Sequence, residues 1–146
     1  MMRTAIFPGT FDPFTVGHDA LVRRALGIVD ELYIAIGINT GKHTMLTLEE
    51  RIDRIKRLYK EEPRIHVTSY EGLTTDFAQS IGAQFIIRGV RNTIDFEYER
   101  NIADINRMLT GIETILLISD SQYAAISSSM VRELAHFGKD ISAYLP

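Results

Sequence analysis

The sequence contains no cysteine among its 146 residues. The chain therefore forms no disulfides and offers no thiolate ligand to a metal, a composition that favours the cytoplasm. It also lacks any apolar run as long as the roughly 18–20 residues that a membrane-spanning helix needs. The first strand-like segment begins at Arg3, which leaves no room for a signal peptide. We expect a cytoplasmic protein without a membrane partner.

Positive charge is not in excess either, since the 16 Lys and Arg residues are outnumbered by 19 Asp and Glu residues, which gives a net charge of −3. A general attraction to nucleic acid is not supported, and anionic ligands would have to bind at local clusters. Two nucleotide-binding signatures, G-x-G-x-x-G and G-x-x-x-x-G-K-[ST], are absent, which argues against a dinucleotide oxidoreductase and a P-loop enzyme. The length suits one domain, 1–146, and 45% apolar residues suffice for a core.

Short apolar runs alternate with amphipathic segments along the whole chain. The runs are mostly continuous, as in strands covered on both faces, and they predict strands over 3–8, 31–38, 65–70, 84–88 and 113–119. The segments between them predict helices over 17–29, 47–61, 75–81, 94–109 and 128–137. A capping box of Thr47 and Glu50 is predicted to open the second helix. Right-handed crossovers then give an α/β fold, a Rossmann-like parallel five-stranded sheet flanked by helices, whose ligands bind beyond the carboxyl ends of the strands.

The segment from Phe7 to His18 reads F-P-G-T-F-D-P-F-T-V-G-H and joins the first strand to the first helix. A plain strand-to-helix turn would explain its glycines and prolines. The whole segment also has the features of an anion-binding loop, because Gly9 lets backbone N–H groups approach an anion and Thr10 adds a hydroxyl donor. His18 stands at a helix N-terminus, where phosphate is favoured and an imidazole N–H can donate to a phosphoryl oxygen.

This string resembles the H-x-G-H signature of the nucleotidyltransferase superfamily, with Thr15 in place of the first histidine. The T-x-G-H variant, inside G-T-F-D-P-x-T-x-G-H, is similar to the phosphopantetheine adenylyltransferase family. The resemblance extends from Arg3 to Pro146, with the further motifs in order. It implies transfer of the adenylyl group of ATP to 4′-phosphopantetheine, with Thr10, Phe11 and His18 among the residues at ATP.

A lysine follows the second strand, in the loop N-T-G-K-H from Asn39 to His43. A lone loop lysine is ordinarily solvated and nothing more. The resemblance implies a role, because the family places a phosphate-binding lysine just ahead of a T-L-E-E-R segment, here Thr47 to Arg51. Relatives often have proline and an aromatic residue where this chain has Thr44 and Leu46. We therefore expect Lys42 at the acceptor phosphate, on a more mobile loop.

The fourth strand ends in I-R-G-V-R, from Ile87 to Arg91. Simple exposure to solvent does not readily explain two arginines three residues apart at the end of an apolar strand. Guanidinium groups bind phosphoryl oxygens through two N–H groups at once, so the pair predicts a phosphate clamp. The resemblance implies that Arg88 holds the acceptor phosphate, whereas Arg91, with Gly89 and Val90, holds ATP.

Two further motifs stand at helix starts. Asp95 to Glu99 reads D-F-E-Y-E, and acidic residues there are also explained by the helix dipole. The I-S-S-S-M-V-R run from Ile126 to Arg132 would be explained by capping alone, although converging hydroxyl and N–H groups also suit an anion. By resemblance Glu99 lies at ATP, Asn106 and Arg107 fit the family's N-R, the serine element contacts the ATP triphosphate, and the ATP-binding residues of this loop are Tyr123, Ile126, Ser127, Ser128 and Ser129.

The resemblance implies in-line attack of an acceptor phosphate on ATP, with His18, Lys42, Arg88 and Arg91 as catalytic residues. Its acceptor contacts are Thr10, Lys42, Thr74 and Arg88. It implies Mg²⁺ brought with ATP, with no metal site built from protein, and a homohexamer with coenzyme A as a feedback ligand. Many relatives continue with another helix beyond Leu145-Pro146, which leaves packing and assembly at that end open.

Two alternatives remain open at this point. A sister nucleotidyltransferase would use another phosphate acceptor, such as nicotinamide mononucleotide or glycerol phosphate. Thr15 and the R-G-x-R and D-F-E-Y-E strings argue against it. A nucleotide-binding module without catalysis could dispense with His18 and Lys42, and both are present.

Overall fold

The computed structural model describes residues 1–146, and its five strands form one sheet in the order β3-β2-β1-β4-β5. The strands are β1 (Thr4–Gly9), β2 (Glu31–Gly37), β3 (Ile65–Tyr70), β4 (Phe85–Val90) and β5 (Glu113–Ile118). Every neighbouring pair is parallel. The predicted α/β fold with a five-stranded parallel sheet is confirmed.

Helices connect the strands as the alternating pattern predicts. They are α1 (Val16–Ala25), α2 (Leu48–Leu58), α3 (Thr74–Ser80), α4 (Thr93–Thr110) and α5 (Ser128–His136). The sequence predicted that α1 extends to Val29, which is wrong, because the helix ends at Ala25. The chain then forms a turn in which the Gly27 N–H donates to the Arg24 carbonyl at 3.1 Å. Two short 3₁₀ turns, Ser121–Tyr123 and Ser142–Tyr144, had no signal in the apolar pattern.

The prediction of a capping box at α2 is half right. The Thr47 side chain accepts a hydrogen bond from the Glu50 N–H at 3.1 Å, but the Glu50 side chain makes no return bond. The reciprocal arrangement occurs instead at α1, between Thr15 and His18. Since a histidine is not the usual partner in a capping box, the sequence pattern alone did not reveal it.

Two apolar clusters lie on opposite faces of the sheet, because successive strand residues point to opposite sides. The larger cluster includes Phe7, Leu32 and Ile34 under α1 and α2, and the smaller one includes Ile6 and Ile86. The chain builds β2 and β3 on one side of β1 and then returns to build β4 and β5 on the other. This reversal opens a crevice beyond the carboxyl ends of β1 and β4, the place where such sheets bind ligands. No helix has the length and apolar character to cross a membrane.

Candidate active site

A cleft with a volume of about 400 Å³ opens beyond the ends of β1 and β4. Residues from all five sequence motifs line it, although they are distant in the chain. The predicted site residues found there are Thr10, Phe11, His18, Lys42, Arg88, Gly89, Arg91, Glu99, Tyr123, Ile126, Ser127, Ser128 and Ser129. They meet because the carboxyl ends of parallel strands share one edge of the sheet.

Two predicted site residues lie elsewhere. The Val90 side chain is buried in the sheet and does not line the cleft. Thr74 opens α3 and lines a second cavity of about 710 Å³, where its hydroxyl lies 2.7 Å from the Tyr70 hydroxyl. The two cavities share one wall, formed by Pro8, Gly9, Thr10, Arg88, Tyr98 and Glu99. The site is therefore a two-part depression that meets at Arg88 and the Gly9-Thr10 backbone.

His18 is held by the first turn of α1. The Thr15 N–H donates to His18 Nδ1 at 2.9 Å, and the His18 N–H donates to Thr15 Oγ1 at 3.3 Å. Because Nδ1 accepts a hydrogen bond, the neutral ring carries its proton on Nε2. Thr15, which replaces the first histidine of the superfamily signature, thus fixes the tautomer of His18.

The surroundings of His18 keep its ring neutral. The ring stacks on Phe14 at 5.2 Å between centroids and meets Phe11 edge-on at 5.1 Å. Burial, together with the positive charges of Arg88 and Arg91, lowers the pKa of His18 to about 4. At neutral pH the group is therefore an uncharged N–H donor on the wall of the cleft.

Two glycines allow the close packing around this donor. A Cβ atom on Gly89 would lie 2.4 Å from Leu21 Cδ1 on α1, far inside van der Waals contact. A Cβ atom on Gly9 would lie 2.8 Å from the Phe11 ring. A larger residue at either position would displace the Leu21 side chain or the Phe11 ring, so both glycines permit the close packing beside His18.

Arg88 and Glu99 form a bidentate ion pair at the wall between the cavities. Arg88 Nε and Nη2 donate to the two Glu99 oxygens at 2.9 and 2.7 Å, and Arg88 Nη1 donates to the Pro8 carbonyl at 2.8 Å. Burial alone would lower the pKa of Arg88, but the hydrogen bonds and charge of Glu99 outweigh it and raise that pKa. Five N–H groups are available on a guanidinium, so two remain for a ligand. The predicted contact of Glu99 with ATP stays a prediction, since both of its oxygens engage Arg88.

Arg91 and Lys42 differ in how firmly they are placed. Arg91 Nε lies 3.1 Å from Asp95 Oδ2, which also accepts the Arg91 backbone N–H at 3.1 Å. Lys42 is exposed, and its side chain forms no hydrogen bond or ion pair within the protein. Its ammonium group is free to meet an anion in the cleft.

The serine run is tied to the rest of the site. Ser127 caps α5 by accepting from the Met130 N–H at 3.1 Å, and Ser128 Oγ donates to the Pro13 carbonyl at 2.7 Å. Ser129 Oγ accepts from Arg132 Nη2 at 3.1 Å. Ser128 thus uses its O–H group within the protein, whereas Ser127 and Ser129 accept and keep their O–H groups as donors. First-turn N–H groups of a helix have no partner within the helix, so they are further donors for an anion.

Three residues that hold the site were not selected from the sequence. Asp12 is buried, and its carboxylate accepts from the Met45 and Leu46 N–H groups at 2.7 and 2.8 Å. Arg132 donates to the Asp12 carbonyl at 2.8 Å, and Arg51 donates to the Thr10 carbonyl at 2.9 Å. All three belong to the sequence motifs described above. Their roles could not be predicted from those motifs, because their hydrogen-bond partners lie 33 to 120 residues away in the chain.

The chain is similar to known proteins along nearly its whole length. The Cytidylyltransferase-like family model matches residues 6–134. Phosphopantetheine adenylyltransferase of Bacteroides fragilis is 56% identical over 145 residues, covering 99% of this chain and 97% of the relative. That of Porphyromonas gingivalis is 51% identical over 142 residues, covering 97% and 93%. The chain belongs to the phosphopantetheine adenylyltransferase family.

One solved structure bears on the fold of this phosphopantetheine adenylyltransferase family member. A Vibrio parahaemolyticus structure assigned as a nicotinate-nucleotide adenylyltransferase has a TM-score of 0.67 at 20% identity. It covers 99% of this chain, which covers 94% of it in return. At 20% identity this likeness shows a shared fold and does not identify the acceptor.

Proposed function

We propose that the protein transfers the adenylyl group of ATP to 4′-phosphopantetheine, giving 3′-dephospho-coenzyme A and pyrophosphate. One structural observation supports this proposal in addition to the family relationship. Two cavities meet at Arg88 and Gly9-Thr10, beside the neutral His18 donor. A reaction between two bound molecules needs such a junction, where the two reacting phosphates are brought together.

The acceptor would lie in the second cavity with its phosphate at the shared wall. Two N–H groups of Arg88 point away from Glu99 and Pro8 and remain for that phosphate. Lys42 lines the first cavity without a protein partner, so its charge is available to a phosphate at the junction of the two cavities. Thr74 and Tyr70, further along the second cavity, offer hydroxyl groups to the polar atoms of the pantetheine arm.

ATP would lie in the first cavity. Its triphosphate would meet Arg91 and the first turn of α5, where the N–H groups of Ser128 and Ser129 supply donors and a favourable dipole. Tyr123 and Ile126 add an adjoining wall for the nucleoside. This arrangement directs the α-phosphate towards the junction and the pyrophosphate towards α5.

In the reaction an oxygen of the acceptor phosphate attacks the α-phosphorus of ATP. The bond from the α-phosphorus to the bridging oxygen breaks, pyrophosphate leaves, and a new phosphoanhydride forms. The attacking group is already an anion, so the protein needs no general base and acts by positioning and charge stabilisation. His18 Nε2–H would donate to an α-phosphate oxygen as negative charge grows there.

We propose that Mg²⁺ arrives on the triphosphate, where it would reduce the charge of the leaving pyrophosphate. No group of three or more His, Cys, Asp or Glu side chains in the chain is placed to hold a metal. The carboxylates of Glu99 and Asp95, which line the cleft, each pair with an arginine. A chelator should abolish activity and added Mg²⁺ restore it, whereas stoichiometric metal surviving exhaustive dialysis against chelator would contradict the proposal.

Self-association is proposed on the basis of α4. Its exposed face carries an apolar stripe of Ile94, Tyr98, Ile105, Met108 and Leu109, each more than half exposed, of which Ile94 and Met108 line neither of the two cavities. Apolar patches of this kind on a protein surface mark contact sites. We propose that copies of the chain cover this stripe, and that the assembly is the hexamer typical of the family, located in the cytoplasm. Light scattering of wild-type protein beside Ile94→Lys/Met108→Lys tests it, and a monomeric wild type would contradict it.

The acceptor is tested by measuring pyrophosphate release with ATP and each of four compounds. These are 4′-phosphopantetheine, pantetheine, nicotinamide mononucleotide and glycerol phosphate. Only the first should release pyrophosphate, because pantetheine has the same arm without the attacking phosphate. Turnover with nicotinamide mononucleotide or glycerol phosphate instead would show a sister transferase, and no turnover with any acceptor would indicate a binding module. Coenzyme A added to the active reaction tests feedback binding.

A further inference from the structure

A third cavity of about 370 Å³ lies on the other side of the Phe11 and Phe14 rings, against α2. Ten residues line it, and those that matter for its chemistry are Phe11, Phe14, Leu58, Arg51, Arg54 and Arg57. Three of them are arginines, none carries a carboxylate side chain, and six of the ten are hydrophobic. The cavity thus combines an apolar floor with a strongly positive rim.

None of the three arginines forms an ion pair, although six other arginines each pair with a carboxylate elsewhere in the protein. Arg51 is only 7% exposed. Its Nη1 donates to the Thr10 carbonyl and its Nε to the Thr47 carbonyl, but Nη2 has no acceptor in the protein. Nη2 is therefore the Arg51 nitrogen that remains for an anion in this cavity, and a charge-assisted hydrogen bond to it would be stronger than one between neutral groups.

This cavity is separate from the cleft where adenylyl transfer is proposed. Phe11 is the only residue that lines both. Arg54 and Arg57 are exposed side chains on α2 that the proposed reaction does not use. An occupant would therefore contact the back of the Phe11 and Phe14 rings without competing for the space of ATP.

We propose that this third cavity binds a small organic anion that has an apolar body. Its carboxylate, phosphate or sulfonate group would accept hydrogen bonds from the guanidinium groups of Arg51, Arg54 and Arg57. Its carbon skeleton would pack on Phe14 and Leu58. The volume suits a ligand of one or two rings, since pockets for small molecules begin at roughly 300 Å³. The inference does not depend on which acceptor the enzyme uses.

The test uses 8-anilino-1-naphthalenesulfonate as the anionic probe and N-phenyl-1-naphthylamine as its counterpart without the sulfonate. Fluorescence titrations are run on the assembled wild-type protein with saturating ATP and no acceptor, so that the catalytic cleft is filled and no turnover occurs. The sulfonate should bind about tenfold or more tightly than the neutral amine, because only the sulfonate engages the arginines.

The matched variants are Arg54→Gln/Arg57→Gln and Lys56→Gln/Lys60→Gln, which remove equal charge from the same part of the chain. Lys56 and Lys60 line a different depression, so their replacement controls for long-range charge. The arginine pair should weaken binding of the sulfonate about tenfold, and the lysine pair should leave it within about twofold. Circular dichroism checks that both variants fold.

Three outcomes would overturn the inference: no binding of the sulfonate to the wild type, equal loss in the two variants, or equal affinity for the neutral amine. A probe that ATP displaces would also overturn it, because that probe would lie in the catalytic cleft. Pyrophosphate release, assayed separately, reports on the proposed reaction alone, so the two proposals can fail independently.

Discussion

Two loops that line the same cleft differ sharply in how they are held. The glycine loop, residues 9–15, is mostly buried, and Arg51 and Arg132 donate to two of its carbonyl groups. Its Phe11 is fixed at a φ of 53°, a left-handed conformation that non-glycine residues rarely adopt. The lysine loop, residues 39–43, is exposed throughout, and Lys42 has no side-chain partner. The groups of the glycine loop are therefore fixed before ligands bind, whereas Lys42 is free to move towards a ligand.

The difference corresponds to two functions, the stabilisation of charge during the reaction and the recruitment of a phosphate group. A donor acting on charge that grows during the reaction is effective only if its position is already fixed. A cation that recruits a phosphate can instead sit on a mobile element and close on the ligand. Asp12 joins the two loops, because it lies in the first and accepts from the Met45 and Leu46 N–H groups just beyond the second. Four predictions test this division, in order of decreasing effect.

The largest effect is expected at the fixed donor. His18→Ala should lower kcat by about 10²- to 10³-fold, the usual loss when one preorganised donor is removed. ATP affinity should change far less, because Arg91 and the start of α5 remain. Steady-state kinetics with both substrates saturating, beside an ATP titration, measure the two quantities. A folded variant that keeps most of its kcat would end the proposed role of His18.

The second prediction concerns Arg88, whose placement depends on Glu99. Arg88→Ala should raise the KM for phosphopantetheine about 10- to 100-fold, and more than the KM for ATP, because charge-assisted hydrogen bonds to the acceptor are lost. It should also destabilise the fold by about 3 kcal/mol, since the buried Glu99 carboxylate loses its partner.

The control for this variant is Arg88→Ala/Glu99→Gln, which removes the orphaned charge. The double variant should regain stability in urea unfolding without regaining affinity for the acceptor. If ATP affinity falls first instead, the roles given to Arg88 and Arg91 are exchanged.

A smaller and more selective effect is expected in the lysine loop. Lys42→Gln should lower kcat/KM for phosphopantetheine about tenfold, through lost charge at the acceptor phosphate. The free energy of unfolding should stay within about 0.5 kcal/mol, as is usual for exposed positions. His43→Gln, a neighbour in the same loop, serves as the control. Equal kinetic losses in both variants would mean that the loop matters as a whole and Lys42 has no separate role.

The smallest effect concerns pH. Burial and the nearby arginines lower the pKa of His18 to about 4, so the ring should stay neutral from pH 8 down to about pH 5. The unfolded chain binds this proton near pH 6.5, so the contribution of His18 to stability is complete above that pH and declines as pH falls towards 4. NMR titration of the histidine ring signals, with His18→Gln for assignment, measures the midpoint. A midpoint near 6.5 would contradict a neutral, preformed donor.

The sequence by itself determined the alternation of strands and helices, since apolar periodicity is a local property. It also determined which motifs stand after strands, and therefore that His18, Lys42, Arg88 and the serine run share one edge of the sheet. Only the tertiary structure decided that Glu99 faces Arg88 and that the Val90 side chain points into the core. It also decided that Thr15 sets the tautomer of His18 and that Arg132 reaches the Asp12 carbonyl. These outcomes depend on strand order, side-chain direction and contacts across up to 120 residues, which local composition does not encode.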